Sequence, residues 1–218
     1  MIETGEFYHH YVINSLSTMR EYLSVTDSLY EKRLDEVKEE VSQQITSAKC
    51  DSEVEDGLVY QQYQEYALRD FKELLYKGVF LSCFSFVETE LYGFCDAVSK
   101  STGSKLNIDD LTGDGPQKIR KYLEKVAGYQ IRDGYWNDFY TFSKIRNILT
   151  HEIGRIRHAK TLTLFQQFSQ RFSGLTVEAH GPGFEVIGYI RINSKFCDDF
   201  INHVEKIFLE LIPQLHSV

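Results

Sequence analysis

Between Lys77 and Lys100 the apolar residues Phe80, Phe84, Val87, Leu91, Phe94 and Val98 follow one another at spacings of four and three. That rhythm matches the turn of an α-helix and not the alternation of a strand, so the segment predicts a central core helix. It is the most apolar stretch of the chain, and the other elements must supply surfaces that cover it. Two later segments carry the same rhythm. One runs through Phe139, Phe142, Ile145, Leu149 and Ile153, the other through Phe196, Phe200, Val204, Ile207 and Leu211. With 15 Phe, 14 Tyr and only 3 Pro, the composition suits a helical protein with few irregular loops. The expected class is therefore mainly α, a helical bundle.

The rest of the chain adds further elements. Residues 6–49 read as helix, with an apolar face at Leu16, Met19, Leu23 and Val25–Leu29 that narrows to Leu34, Val37 and Val41. The polar run CDSEVEDG (50–57) is expected to end that arm. A second helix is expected from Leu58 to Tyr76, a short one from Gln117 to Ala127 after Pro116, and another from Thr161 to Phe172. Between Leu175 and Ile192 the period changes to two β-like runs around Gly181-Pro182-Gly183, which predicts one small β-hairpin before the last helix. Ser194 is the expected cap of that helix. The division this suggests is an acidic helical arm over 1–56 and a bundle over 57–218.

Charge supports that division. Residues 1–56 hold 13 acidic and 5 basic residues, which accounts for the whole net charge of −8, while 57–218 hold 19 of each. A balance of this sign argues against a general nucleic-acid binder. The four cysteines are scattered, with no C-x-x-C and no Cys/His cluster, so neither a zinc site nor a disulfide framework is expected. The adjacent pair His9-His10 would point to different helix faces and makes a poor chelate. We expect no metal and no cofactor. There is no apolar run long enough to span a membrane, and the acidic N-terminus lacks the apolar region of a secretory signal, so a cytoplasmic location is expected.

The segment from Tyr135 to Lys160, YWNDFYTFSKIRNILTHEIGRIRHAK, carries the chemistry. Asn147 and His151 are four apart and share the more polar side of the helix. Arg146 falls near the edge of the apolar arc. A guanidinium cannot lose its proton, so there it needs a carboxylate or a phosphate. The carboxylates nearest the core stripe of the preceding helix are Glu88 and Glu90, and either can serve as counter-ion. Lys144, Arg155, Arg157 and Lys160 surround the segment with further positive charge, against Glu152 alone. That patch suits a phosphate ligand. It also suits cations gathered at a helix C-terminus, where the dipole favours them.

Arg146-Asn147-Ile148-Leu149-Thr150-His151 resembles the R-polar-x-x-x-H signature of the HEPN superfamily, small helical domains of which many are ribonucleases. Phe84-Ser85-Phe86-Val87-Glu88 is similar to the aromatic, Glu-bearing segment that precedes the motif helix in that family. The resemblance covers roughly Leu58 to Leu211. It implies a metal-independent endoribonuclease with Arg146, Asn147 and His151 as the catalytic set, in a toxin–antitoxin pair or phage defence. It also implies a homodimer in which the motifs of two chains face each other, so that one histidine per chain becomes an acid and a base. RNA is then the substrate, and an antitoxin or nucleotidyltransferase is the expected partner. A non-catalytic HEPN-like module that dimerises or binds a partner through the same helix is the alternative.

Overall fold

The computed structural model describes residues 4–180 and 185–216. It is mainly helical, with six α-helices and one small antiparallel sheet among those residues. Helix α1 (Thr4–Ser47) and helix α2 (Asp51–Thr102) form a long antiparallel pair. The polar run 50–57 does not separate two elements as its composition suggests. Asp51 and Glu53 lie in the first turn of α2, where the helix dipole favours anions, and the helix continues through Tyr76 and Lys77 without a break. It ends at Gly103, whose φ of 64° is the left-handed cap that glycine adopts at low cost.

After a loop with a short 3-10 turn comes α3 (Gly115–Lys121), which runs on into a π-helical turn at Tyr122–Val126. The Asp114 side chain caps α3 by accepting a bond from the Gln117 amide at 3.1 Å, with Pro116 in the first turn. Helix α4 (Asp133–His151) follows. The expected stripe continued to Ile153, but the helix stops at His151. The amides of Glu152 and Gly154 both donate to the Ile148 carbonyl at 3.0 Å, and Ile153 and Gly154 take φ of 54° and 84°. Ile153 is thereby turned outward, 67% exposed, and the fully buried Ile156 enters the core in its place.

That turn feeds an element the periodicity did not reveal. Strand β1 (Arg155–Ile156) pairs with β3 (Gly188–Ile192), which also pairs with β2 (Leu175–Ala179), all antiparallel. The hairpin expected over 175–192 is present as β2 and β3. Its Gly-Pro-Gly turn lies outside the described residues. Helix α5 (Ala159–Ser169) crosses between β1 and β2. Helix α6 (Ser194–Leu211) is capped by Asn193, whose Oδ1 accepts the Phe196 amide at 3.2 Å, and not by Ser194. The Ser194 hydroxyl instead donates to Asp27 at 2.7 Å.

The core is a stack of phenyl rings from α2, α4 and α6. Phe84 stacks on Phe139 and Phe200 with centroids 5.4 and 5.6 Å apart, and Phe142 meets Phe200 at 5.1 Å. Val12, Leu16, Met19 and Leu23 of α1 belong to this same core, whereas Val25 and Leu29, expected on the same face, lie about 100° or more around the helix from that stripe and are exposed. The first half of α1 is thus built into the bundle. What projects is a hairpin made from the second half of α1 and the first half of α2, with its own small cluster of Val37, Val41 and Leu68. The boundary at residue 56, read from charge, falls inside that hairpin. Cys83, Cys95 and Cys197 are buried and free, and burial pushes the first two thiols up to about 11 and about 12.

Candidate functional site

Arg146 sits on α4 where its side chain reaches across to α2. Its Nη2 donates to Glu88 Oε2 at 2.9 Å, and its Nη1 donates to Asn147 Oδ1 at 2.8 Å. The guanidinium carbon lies 5.0 Å from the centroid of the Phe84 ring, close enough for a cation–π contact. The Arg146 and Glu88 side chains are only 27% and 23% exposed. Of the two carboxylates read from the sequence, Glu88 is therefore the counter-ion. Glu90 is two residues on, about 200° around the helix, and takes a bond from the Tyr11 hydroxyl at 3.1 Å instead. Burial raises the Glu90 pKa, and the Tyr11 bond opposes that shift.

A third element closes the clamp. Glu88 lies so close to the first residue of α3 that a Cβ on Gly115 would stand 2.4 Å from Oε1. A side chain there would force the Glu88 carboxylate to move from its present position. The sequence offered Gly115-Pro116 merely as a loop running into a helix, and nothing in its spacing pointed to Glu88. Tyr92, one turn beyond Glu88, has its phenol pushed up chiefly by burial and next by the Glu88 charge. Tyr140 borders the motif face of α4. Its phenol is raised by burial and pulled back by Arg120, which is itself tied to Glu124 at 2.8 Å and to Asp133.

Asn147 and His151 are exposed, as their shared polar side predicts, and His151 is the last residue of α4. Among the described residues the His151 side chain makes no hydrogen bond, and the motif of one chain supplies one imidazole. The surrounding cations divide into two groups. Arg157 is committed to Glu152 at 3.0 Å and to Glu185. Lys144, Arg155 and Lys160 are exposed, with no ion pair among the described residues. Arg155 follows the left-handed turn at Ile153 and Gly154 and is paired with Tyr189 of β3.

Comparison with known proteins finds no matching family model, no matching curated protein and no matching solved structure. Among the described residues no group of three or more His, Cys, Asp or Glu side chains is placed to hold a metal ion, and no helix is long and apolar enough to cross a membrane. A cavity of about 540 Å³ lies away from the motif, between α1, α2 and the start of α6. Its central carboxylate, Asp27, already accepts bonds from Tyr76 at 2.6 Å and Ser194 at 2.7 Å. The motif face therefore offers one clamped cation, an amide beside it, an exposed imidazole one turn on, and three exposed cations nearby.

Proposed function

We propose that the chain is a metal-independent endoribonuclease of HEPN type, acting as a two-fold homodimer in the cytoplasm as a toxin or phage-defence component. The observation that carries this reading is the Glu88–Arg146–Asn147 clamp set on the Phe84 ring, one turn before the exposed His151. Such a clamp holds a guanidinium in one orientation, so its remaining N–H groups are fixed in direction. With two α4 helices face to face, one His151 takes the proton of a ribose 2′-hydroxyl. The 2′-oxygen bonds to phosphorus, the bond from phosphorus to the 5′-oxygen breaks, and the second His151 protonates the leaving oxygen. Arg146 and Asn147 stand beside the charge that gathers on the phosphoryl oxygens. Lys144, Arg155 and Lys160 hold the flanking RNA backbone. A toxin of this kind would be held in check by an antitoxin or a nucleotidyltransferase.

The test is cleavage of single-stranded RNA by the purified protein with EDTA present, read as 2′,3′-cyclic phosphate ends. His151→Ala should lower the rate by about 10²–10⁴-fold, the range for losing a general acid or base, while leaving the circular dichroism and melting curve unchanged. Cleavage by His151→Ala at the native rate would assign the activity to another site.

The second reading is a non-catalytic interaction module using the same helix. One observation favours it: the two bonded nitrogens of Arg146 are already taken by Glu88 and Asn147, as in a purely structural pair. Under that reading a folded, dimeric protein cuts none of the RNAs offered.

A further inference from the structure

Helix α1 carries two apolar stripes. One, through Val12, Leu16, Met19 and Leu23, is buried in the core. The other, through Tyr11, Ser15, Thr18, Tyr22, Val25 and Leu29, advances at four, three, four, three and four and faces solvent. Tyr22, Val25 and Leu29 are 45%, 60% and 50% exposed. A seam of this period is what a second helix packs against. Beside it on α2 lie Gly78, Ser82, Phe86 and Thr89, and between the two helices runs a groove of about 390 Å³ with Thr18 and Ser82 on its walls.

The chemistry of this face is unlike the rest of the surface. Its only carboxylate among the described residues of the seam is Glu90 at one end, which accepts a bond from the Tyr11 hydroxyl at 3.1 Å. Three of the face's hydroxyls are already satisfied: Ser15 and Thr18 donate to the carbonyls of Tyr11 and Asn14, and Thr89 to that of Ser85, at 2.9 to 3.1 Å. Those three can lose water without orphaning a donor, and the Tyr22 and Ser82 hydroxyls are left to bond across the seam. We propose that it is an isologous interface between two copies of this chain. The net charge of −8 opposes self-association through most of the surface, and a face whose middle, from Ser15 to Leu29, presents only neutral side chains lets two copies approach without like-charge contact.

Shape agrees with a two-fold arrangement. A two-fold axis lying across both helices near Thr18 and Ser82 lays α1 antiparallel on α1 of the second copy, and α2 on α2. Large residues then oppose small ones: Tyr22 lies over Ser15 of the second copy, and Phe86 over Gly78. From Tyr11 to Leu29 the seam is about 27 Å long, and two adjacent helices give a width of about 20 Å, so the pair buries on the order of 1,000 Å² in total. That reaches the size at which specific association begins.

The inference is independent of the catalytic reading. Phe84 and Glu88, which face α4, and Ser82 and Phe86, which face the groove, lie on opposite sides of α2, about 160° to 200° apart at the centres of the two pairs. Pairing here neither uses nor blocks the motif face. A chain that uses both faces closes into a tetramer or extends as a filament.

The experiment uses the full chain with the exposed Cys50 replaced, as Cys50→Ser. In that background Thr18→Cys, close to the axis, should form a disulfide-linked dimer under mild oxidation, while Tyr63→Cys on the projecting hairpin should not. In the native background Tyr22→Glu should lower the molar mass by half in light scattering with its helical circular dichroism unchanged. Absence of the Thr18→Cys link, or an unchanged mass for folded Tyr22→Glu, would overturn the interface. Loss of RNA cleavage in His151→Ala leaves these masses as they are, so the two readings fail separately.

Discussion

The two halves of α2 belong to one unbroken helix but live in different surroundings. The second half presents Phe80, Phe84, Val87 and Leu91 to a core of interlocking rings from α4 and α6. The first half meets α1 through Val37, Val41 and Leu68. Residues 28–75, which make the projecting hairpin, hold 12 acidic and 6 basic side chains, so −6 of the chain's net charge of −8 stands on it. Backbone hydrogen bonding is continuous across both halves, so helix formation does not distinguish them. The difference lies in apolar area buried. The bundle half is held by tertiary packing, and the hairpin half by a seam about as narrow as two helices can share. The motif clamp sits on the bundle half, where a fixed guanidinium orientation is available.

Replacing one ring of the bundle tests this contrast most strongly. Phe142 is fully buried and touches Phe80, Phe168, Phe172, Phe196 and Phe200. Phe142→Ala should cost about 3–5 kcal/mol in urea unfolding monitored on the whole chain. Leu68→Ala, in the hairpin, should cost about 2 kcal/mol at the low end for such a change, because a thin seam collapses more easily. Hydrogen exchange should then speed up in residues 28–75 and hardly at all in α4 and α6. Equal global losses for the two variants would show that hairpin and bundle unfold as one unit.

Arg146 comes next in expected size. Its pair with Glu88 is neither exposed nor fully buried, so Arg146→Ala should cost about 1–3 kcal/mol, between a surface pair and a sequestered one. Lysine should recover little of that loss, because it lacks the planar fork that lies on Phe84 while reaching Glu88 and Asn147. A melting temperature equal to the native one in Arg146→Ala would remove the clamp argument.

The smallest effect concerns pH. His203 of α6 is buried, and its Nε2 donates to the Tyr135 carbonyl at 2.8 Å. Burial lowers its pKa from 6.5; the Tyr135 bond and Asp138 oppose that shift, and Lys206 and Arg171 add to it. The unfolded chain therefore takes up this proton first. The stability tied to it is complete above pH 6.5 and falls as pH drops below that value toward the lower folded pKa. Urea midpoints measured from pH 7.5 to 5 should decline in the native protein, and the part of the slope due to this site should vanish in His203→Gln. An unchanged slope would place the proton uptake elsewhere, since residues 28–75 hold no histidine.

Much of the bundle was legible because its signal is periodic. The stripes of α2, α4 and α6 are long, and each apolar residue from Phe80 to Val98 named by spacing is buried. The hairpin of β2 and β3 announced itself by a change of period. What failed to show were features set by single contacts. Asn193 rather than Ser194 caps α6, because Ser194 is drawn to Asp27, a residue 167 positions away. Strand β1 is two residues long, too short to carry any alternation. The clamp was half legible. Arg146 at the edge of an apolar arc demanded a carboxylate, and the sequence narrowed it to Glu88 or Glu90. The choice between them needed the direction in which α2 faces α4.

The amino-acid sequence by itself determined the helical class, the central place of residues 77–100, the polar side shared by Asn147 and His151, and the demand of Arg146 for an anion. These follow from the turn of a helix and the cost of burying an unpaired charge, both local properties of the chain. Tertiary structure alone decided that Glu88 answers that demand, that Gly115 leaves the space for it, and that half of α1 joins the core while the other half projects. It also decided that α4 ends at His151 in a left-handed turn. Each of these depends on which surfaces meet across a long separation in sequence, and the spacing of residues within one element holds no information about the distance to another.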